Sequence, residues 1–270
     1  MQLDKTHIAI RERGWLDILD LALQVMRTHI GPLLLAAAVG IVPMMLLNAW
    51  LLGDDFAADD GDLYFGLSVW LLLLILIEVP LATAPMTLYL GRALFMDKPT
   101  PRQMAREFFG CLPQLILFQV IIRVPLVFMV VTWILPFAVW PFLNEVILLE
   151  RNRLVARQPG ELSTRRRSSA LHGSSVGELM LQGLGTFLLA LVLTMALWMT
   201  IWFLRGMLTG RWTFEAVMYT IYLQLAAWIV ASYFTVVRFL SYLDLRIRRE
   251  GWEVELVMRA ERARLARQLA

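Results

Sequence analysis

Three ionisable residues lie deep inside long apolar runs of the sequence. They are Glu78, Arg123 and Glu145, and each is flanked by aliphatic and aromatic side chains. A charged side chain at the centre of a bilayer costs about 2.5–3.5 kcal/mol on insertion scales, so such residues turn inward and pair. Two carboxylates and one guanidinium at this depth could relay a proton or a polar substrate. The alternative is a structural ion pair that fixes helix packing.

Depth along the helices favours Arg123 as the partner of Glu78. At ~1.5 Å per residue, both lie roughly 15 Å from the predicted cytoplasmic ends of their helices, whereas Glu145 lies only ~8 Å in. The long guanidinium side chain could still reach Glu145, or Glu145 could hydrate toward the cytoplasm. Glu215 and Arg238 are set aside at this point because they lie near the ends of their span, where they can reach the membrane interface.

The elements that position these charges are membrane-spanning helices. The chain has 270 residues, 59% of them hydrophobic and 17% charged, with a mean hydropathy of +0.65. These values exclude a soluble globule and a disordered chain, and the single cysteine excludes a disulfide scaffold. A span needs ~20 apolar residues. The sequence therefore predicts an all-α, polytopic protein with a six-helix transmembrane bundle over 30–243, with spans at 30–52, 64–91, 112–131, 133–150, 182–206 and 215–241.

Prolines shape the second, third and fourth spans. The run that follows Leu63 is too long for one perpendicular crossing and contains Pro80 and Pro85, which predicts a tilted or kinked helix. Pro101 begins a short cytoplasmic helix to about Phe109. Residues 112–150 lack a charged loop, so they form either a tight hairpin or a re-entrant pair.

The distribution of arginine predicts the orientation of the chain. Basic residues precede the first span, follow the second and fourth, and follow the sixth, whereas the first outer loop carries five aspartates and no cation. By the positive-inside rule, we expect both termini to lie in the cytoplasm. A charged stretch of about thirty residues precedes the first span, so we expect no cleavable signal peptide.

Three segments lie on the predicted cytoplasmic side. Residues 1–29 include an amphipathic helix that either lies on the leaflet or packs on the protein's own helix ends. Residues 151–177 form a flexible basic linker, and residues 244–270 form an amphipathic C-terminal helix. In the linker, Arg165, Arg166 and Arg167 favour anionic lipid headgroups over nucleic acid, or serve only to fix topology. The two terminal helices are also possible contact sites for protein partners.

Motifs of enzymes and metal sites are absent from the sequence. The three histidines are far apart, and the chain has no glycine-rich phosphate loop, no GxSxG and no CxxC motif. We therefore expect no enzymatic activity, no cofactor and no metal ion.

Three short stretches carry a resemblance to a known family. They are Ala84–Phe95 (APMTLYLGRALF), Pro141–Asn152 (PFLNEVILLERN) and Tyr242–Leu256 (YLDLRIRREGWEVEL). Together they resemble bacterial multi-spanning proteins related to the membrane domain of glycerophosphoryl diester phosphodiesterases. The resemblance implies a six-helix bundle in which each pair of spans returns to the cytoplasm. Those enzymes carry catalysis in a separate soluble domain, so the resemblance does not extend to their activity.

Two functional hypotheses follow from the sequence. The first is a non-enzymatic scaffold or partner subunit of an inner-membrane assembly. The second is a transporter or channel for a small solute or lipid, built around Glu78, Arg123 and Glu145. A membrane-embedded hydrolase is a third class, but no nucleophile and base can be named for it. A dry, paired core would favour the scaffold, and an open cavity would favour transport.

Overall fold

The architecture is known from a computed structural model, which describes residues 14–57, 64–95, 101–122, 125, 142–150, 163, 164, 167, 168 and 176–250. Every element in these ranges is a helix, and none of the described residues forms a strand. A helix satisfies all its backbone hydrogen bonds within one segment, which is the requirement that lipid imposes on a spanning chain. The all-α class predicted from composition is confirmed.

Eight α-helices are described, and three short π-helical segments adjoin them. The π-helical segments are Ile116–Ile122, Val146–Glu150 and Met218–Leu223. The α-helices are α1 Trp15–Thr28, α2 Ile30–Ala57, α3 Tyr64–Ala82, α4 Ala84–Phe95, α5 Pro101–Leu115, α6 Leu143–Glu145, α7 Val176–Thr209 and α8 Gln224–Glu250.

Five helical stretches are long and apolar enough to cross a membrane, so the chain is an integral membrane protein. The fourth predicted span, 133–150, is described only over its last nine residues, and the C-terminal helix 244–270 only to Glu250. The count of six spans therefore stays a prediction. The five stretches are Ile30–Gly53, Tyr64–Ala93, Arg102–Ile122, Gly177–Thr209 and Met218–Arg248.

The second span is interrupted, as its prolines predict. Helix α3 ends at Ala82 and α4 begins at Ala84, so that only Thr83 separates them. Pro80 and Pro85 both lack the N–H that an uninterrupted helix needs at these positions. The side-chain amide of Asn144 donates a hydrogen bond to the carbonyl of Pro80 at 3.1 Å. The fourth predicted span thus supports the second where its helix is weakest.

The third span begins earlier than predicted. Helix α5 begins at Pro101, as its proline predicts, but it does not stop near Phe109 and runs into the π-helical segment that ends at Ile122. Gly110 and Pro113 lie at the junction between the amphipathic first turns and the apolar part without ending the helix, and Arg92 of α4 holds those turns by pairing with Glu107. The predicted cytoplasmic helix and the predicted span are one continuous helical stretch.

Helix α8 is central to the described part of the molecule. In the most apolar 18-residue part of the stretch that contains α8, 61% of the residues are buried. The corresponding part of α7 has only 11% of its residues buried. Ala226, Trp228, Val236 and Phe239 of α8 are almost completely enclosed. Helix α7 instead exposes leucine and valine side chains along its whole length, which suits a surface that faces acyl chains.

Helices α2 and α3 pack with backbone contact. A Cβ atom added at Gly40 would lie 1.9 Å from the carbonyl oxygen of Ala82, so only glycine fits this crossing. Just before the start of α2, Nδ1 of His29 lies 3.2 Å from the Tyr89 hydroxyl of α4. The first two spans therefore form one closely packed pair.

Helix α1 packs against α8. Ile18, Ala22 and Val25 are buried on this face, and the Tyr233 hydroxyl donates to the carbonyl of Leu19 at 3.0 Å. On the other face Leu16 is 71% exposed. The apolar stripe of α1 therefore packs on the protein's own helices, while the opposite face also exposes charged residues such as Asp17 and Arg27.

Candidate functional site: a cavity that ends at a buried ion pair

A cavity of about 470 Å³ lies between α3, α7 and α8. The π-helical part after α5 and the start of α6 close one side through Phe118, Gln119 and Phe142. Ligand sites usually have volumes of about 300–1,000 Å³, so a small molecule or an alkyl chain fits here.

One end of the cavity is polar. Arg238 and Ser241 line it from α8, Gln182 lines it from α7, and Gln119 lies nearby. Gln182 is 3.5 Å from the Ser241 hydroxyl, at the outer limit for a hydrogen bond, so both groups keep bonding capacity. The polar groups therefore gather where α7 begins and where α8 approaches its end.

The other end of the cavity is apolar. Val69 and Leu72 of α3, Leu191 of α7 and Ala227 of α8 line it. The hydroxyl of Thr194 is also present, but it bonds to the carbonyl of Ala190 in its own helix and offers no free donor. From Ala227 to Arg238 the helix rises about 16 Å, roughly half of a ~30 Å hydrocarbon core. The cavity is thus amphipathic along its length.

An ion pair forms the floor of the polar end. Nη2 of Arg238 lies 2.9 Å from Oε2 of Glu145, whose side chain is 1% exposed against 28% for the arginine. Nε of Arg238 is buried and has no acceptor among the described residues. A guanidinium carries five N–H donors, so the pair with Glu145 leaves part of its capacity toward the cavity unused.

Glu78 lies in a different environment. Its Oε2 accepts a hydrogen bond of 2.9 Å from the side-chain amide of Asn48, which belongs to α2. Pro80 lines the cavity, and two residues along a helix are about 200° apart, so Glu78 points to the far side of α3. The two predicted carboxylates therefore have separate partners, an amide for Glu78 and a guanidinium for Glu145.

Arg123 lies outside the described residues, as do Arg165 and Arg166. The predicted pairing of Arg123 with Glu78 therefore stays a prediction. Arg238 is the cation that the depth argument missed. It lies about three residues from the predicted end of its span, and Glu145 lies five from the end of its own, so the same count of depth would have matched them.

A second charged cluster is centred on Glu150, which itself lies outside the five candidate spans. Arg167 donates to both carboxylate oxygens, from Nε at 2.6 Å and from Nη2 at 3.0 Å. The Tyr242 hydroxyl donates to Oε1 at 2.7 Å, and Nη1 of Arg246 lies 3.9 Å from the same oxygen. Burial alone would raise the pKa of Glu150, but these hydrogen bonds and positive charges hold that pKa below its ordinary value.

This cluster changes the picture of the basic linker. Arg167, one of three arginines predicted to contact lipid headgroups, directs its guanidinium at Glu150. Thr164 accepts a hydrogen bond of 2.7 Å from the side chain of Gln114 in α5. The described residues of the segment predicted to be flexible are therefore held against α5, the segment before the linker and α8.

No protein-family profile, no curated protein and no solved structure matches this chain. The described residues also contain no group of three or more histidine, cysteine, aspartate or glutamate side chains that could hold a metal ion. The functional argument therefore depends on the cavity and its ion pair.

Proposed function

We propose that this protein is a non-enzymatic carrier of the bacterial inner membrane that binds an amphiphile of the surrounding bilayer in its central cavity. The observation that carries the proposal is the cavity itself, apolar over about 16 Å and closed at one end by Arg238 and two other polar side chains. One alkyl chain fits the apolar part, and a headgroup rich in acceptor oxygens fits the donors at the polar end. Membrane lipids are accordingly the proposed partners.

The carrier is preferred to the scaffold on a physical ground. An empty space next to a charged pair weakens packing, because its lining side chains lose dispersion contacts. Helices whose only role is to bind partner proteins gain nothing from such a space. A bound chain would restore those contacts, and both termini in the cytoplasm would place the polar end near the inner headgroup layer, as the arginine distribution favours.

Two glycines of α7 provide a matched test. Gly183 lines the cavity and Gly185 does not, and a Cβ at either position would meet open space. We expect Gly183→Phe to fill the cavity and Gly185→Phe to project from the helix elsewhere. The probe is a hexadecyl sulfonate with a diazirine at mid-chain, photolysed with the full-length protein in nanodiscs of zwitterionic lipid.

The proposal expects labelling of the wild-type protein and of Gly185→Phe to be equal, and labelling of Gly183→Phe to fall several-fold. Equal labelling of all three proteins would show that the probe contacts only the outer surface, and would overturn the proposal. A sulfonate is chosen because its charge is the same throughout the ordinary pH range.

A further inference from the structure

In the ion pair at the cavity floor, Glu145 is too buried to remain charged without its partner. Glu145 is 1% exposed, and Arg238 is the charged partner that the described structure gives it. Arg238 has the larger exposure and lines the cavity, so a ligand reaches the arginine and not the glutamate. An anion that binds the guanidinium from the cavity shares it with Glu145 and weakens the attraction between Arg238 and Glu145.

Removing that partner from a buried carboxylate is costly unless the carboxylate becomes neutral. An isolated charge in an apolar interior is not tolerated, and such a group takes up a proton instead. Ile147 and Leu148, which follow Glu145, are completely buried, so water offers little solvation on that side.

The other groups around Glu145 do not replace the lost cation. On α5, the Cys111 thiol is bonded to the carbonyl of Ile147 at 3.7 Å. On α8, Tyr242 lies one helical turn after Arg238, and its hydroxyl donates to Glu150. Arg246 lies near the same Glu150 carboxylate.

The remaining charges on the neighbouring elements are also engaged. Arg92 of α4 pairs with Glu107 of α5. Asp244 of α8 pairs with Arg248 at 2.8 Å, and Arg167 of the linker segment binds Glu150. Among the residues that the structure describes, Arg238 is thus the cation paired with Glu145.

We propose that an anionic headgroup in the cavity displaces Glu145 from Arg238 and that Glu145 then takes up one proton. The guanidinium exchanges one anionic partner for another, the proton comes from solution to a carboxylate oxygen, and the net charge of the site is unchanged. Binding of anion and proton is therefore coupled. This inference deepens the proposed function and depends on the same cavity, since it names an anionic amphiphile as the ligand class.

The coupling has a defined pH dependence. When binding takes up one proton, the affinity for a permanently charged anion rises as the pH falls, by up to about tenfold per pH unit. The test measures half-saturation of photolabelling by the diazirine-bearing hexadecyl sulfonate from about pH 5 to about pH 8. The full-length protein is used in nanodiscs. The matched probe is the alcohol with the same chain and diazirine, which carries no charge.

Three outcomes support the inference when they occur together. Wild-type affinity for the sulfonate increases toward low pH while affinity for the alcohol stays constant. Glu145→Gln removes the competitor, so the sulfonate binds about tenfold tighter at neutral pH and loses its pH dependence. Glu78→Gln, which changes a carboxylate facing away from the cavity, keeps the wild-type pH profile.

An unchanged pH profile in Glu145→Gln would overturn the coupling, as would a wild-type profile that is flat. Either result can occur while Gly183→Phe still abolishes labelling, in which case the cavity proposal survives and only the coupling fails. If the Glu145→Gln variant accumulates poorly in the membrane, the double variant Glu145→Gln, Arg238→Gln is tested instead. It must lose both the preference for sulfonate over alcohol and the pH dependence.

Discussion

Glu145 and Glu78 are both carboxylates within apolar helices, but their surroundings differ. Glu145 is almost completely buried, pairs with a guanidinium and lies below a cavity. Glu78 is half-buried, accepts one amide hydrogen bond from Asn48 and lies between two closely packed helices. The comparison teaches that a count of depth along a helix does not predict the partner of an acid or the space beside it.

The largest expected effect comes from removing the cation. Arg238→Met leaves Glu145 buried without its partner, and breaking a buried pair in this way costs about 3–5 kcal/mol. Because Arg238 is 28% exposed, we expect the lower part of that range. The loss in the free energy of unfolding is measured by adding a denaturing detergent stepwise to the protein in mixed micelles.

The control for this prediction is the double variant Arg238→Met, Glu145→Gln, which removes both charges. It should recover most of the lost stability. If the single variant is as stable as the double variant, Glu145 does not depend on Arg238 and the assignment of the pair is wrong.

The next effect tests the packing that positions Glu78. Gly40→Ala places a Cβ against the carbonyl of Ala82, so the two helices must move apart at a cost of about 1–3 kcal/mol. Gly31→Ala is the matched control in the same helix, since its Cβ would meet open space. The same detergent titration should show a loss for Gly40→Ala alone, and equal losses would argue against the close crossing.

A smaller effect is expected at Glu78 itself. Glu78→Gln keeps an oxygen that accepts from Asn48 and should change the free energy of unfolding little. Glu78→Leu leaves the Asn48 amide without its acceptor, which costs about 1–3 kcal/mol. A Glu78→Gln variant that is as unstable as Glu78→Leu would mean that the charge matters there, and the contrast with Glu145 would disappear.

The smallest effect concerns Glu150, whose pKa is held below its ordinary value in the folded protein. Its stabilisation is therefore present above the unfolded-state pKa and is lost as the pH falls through the lower folded-state pKa. Arg167→Gln should flatten this acid dependence of the unfolding midpoint. An identical acid dependence in the variant would show that Arg167 does not set the pKa.

Particular residues show how far the sequence determines this picture. Hydropathy alone predicts the all-helical membrane class, and Pro80 and Pro85 predict the break in the second span. Counting depth identifies Glu145 as an intramembrane acid. The same count could have matched Glu145 to Arg238. Arg238, however, lies near the end of its span, where its side chain can also reach the membrane interface.

The cavity could not be predicted from the sequence, because it depends on how the helices rotate about their axes. Gln182 and Ser241 are ordinary polar positions until α7 and α8 turn them toward the same space. Rotation is set by packing, such as the contact of Gly40 with Ala82, and hydropathy carries little information about it. The linker shows the same limit, since its composition gives no sign that Arg167 binds Glu150.

The most direct test of the central claim is where a photoactivated alkyl chain attaches to the wild-type protein. Digestion and mass spectrometry should find the diazirine-bearing hexadecyl sulfonate on cavity residues such as Ala190, Ala227 and Val230. Attachment only to outward-facing residues such as Leu181 and Leu208, with none in the cavity, would contradict the account.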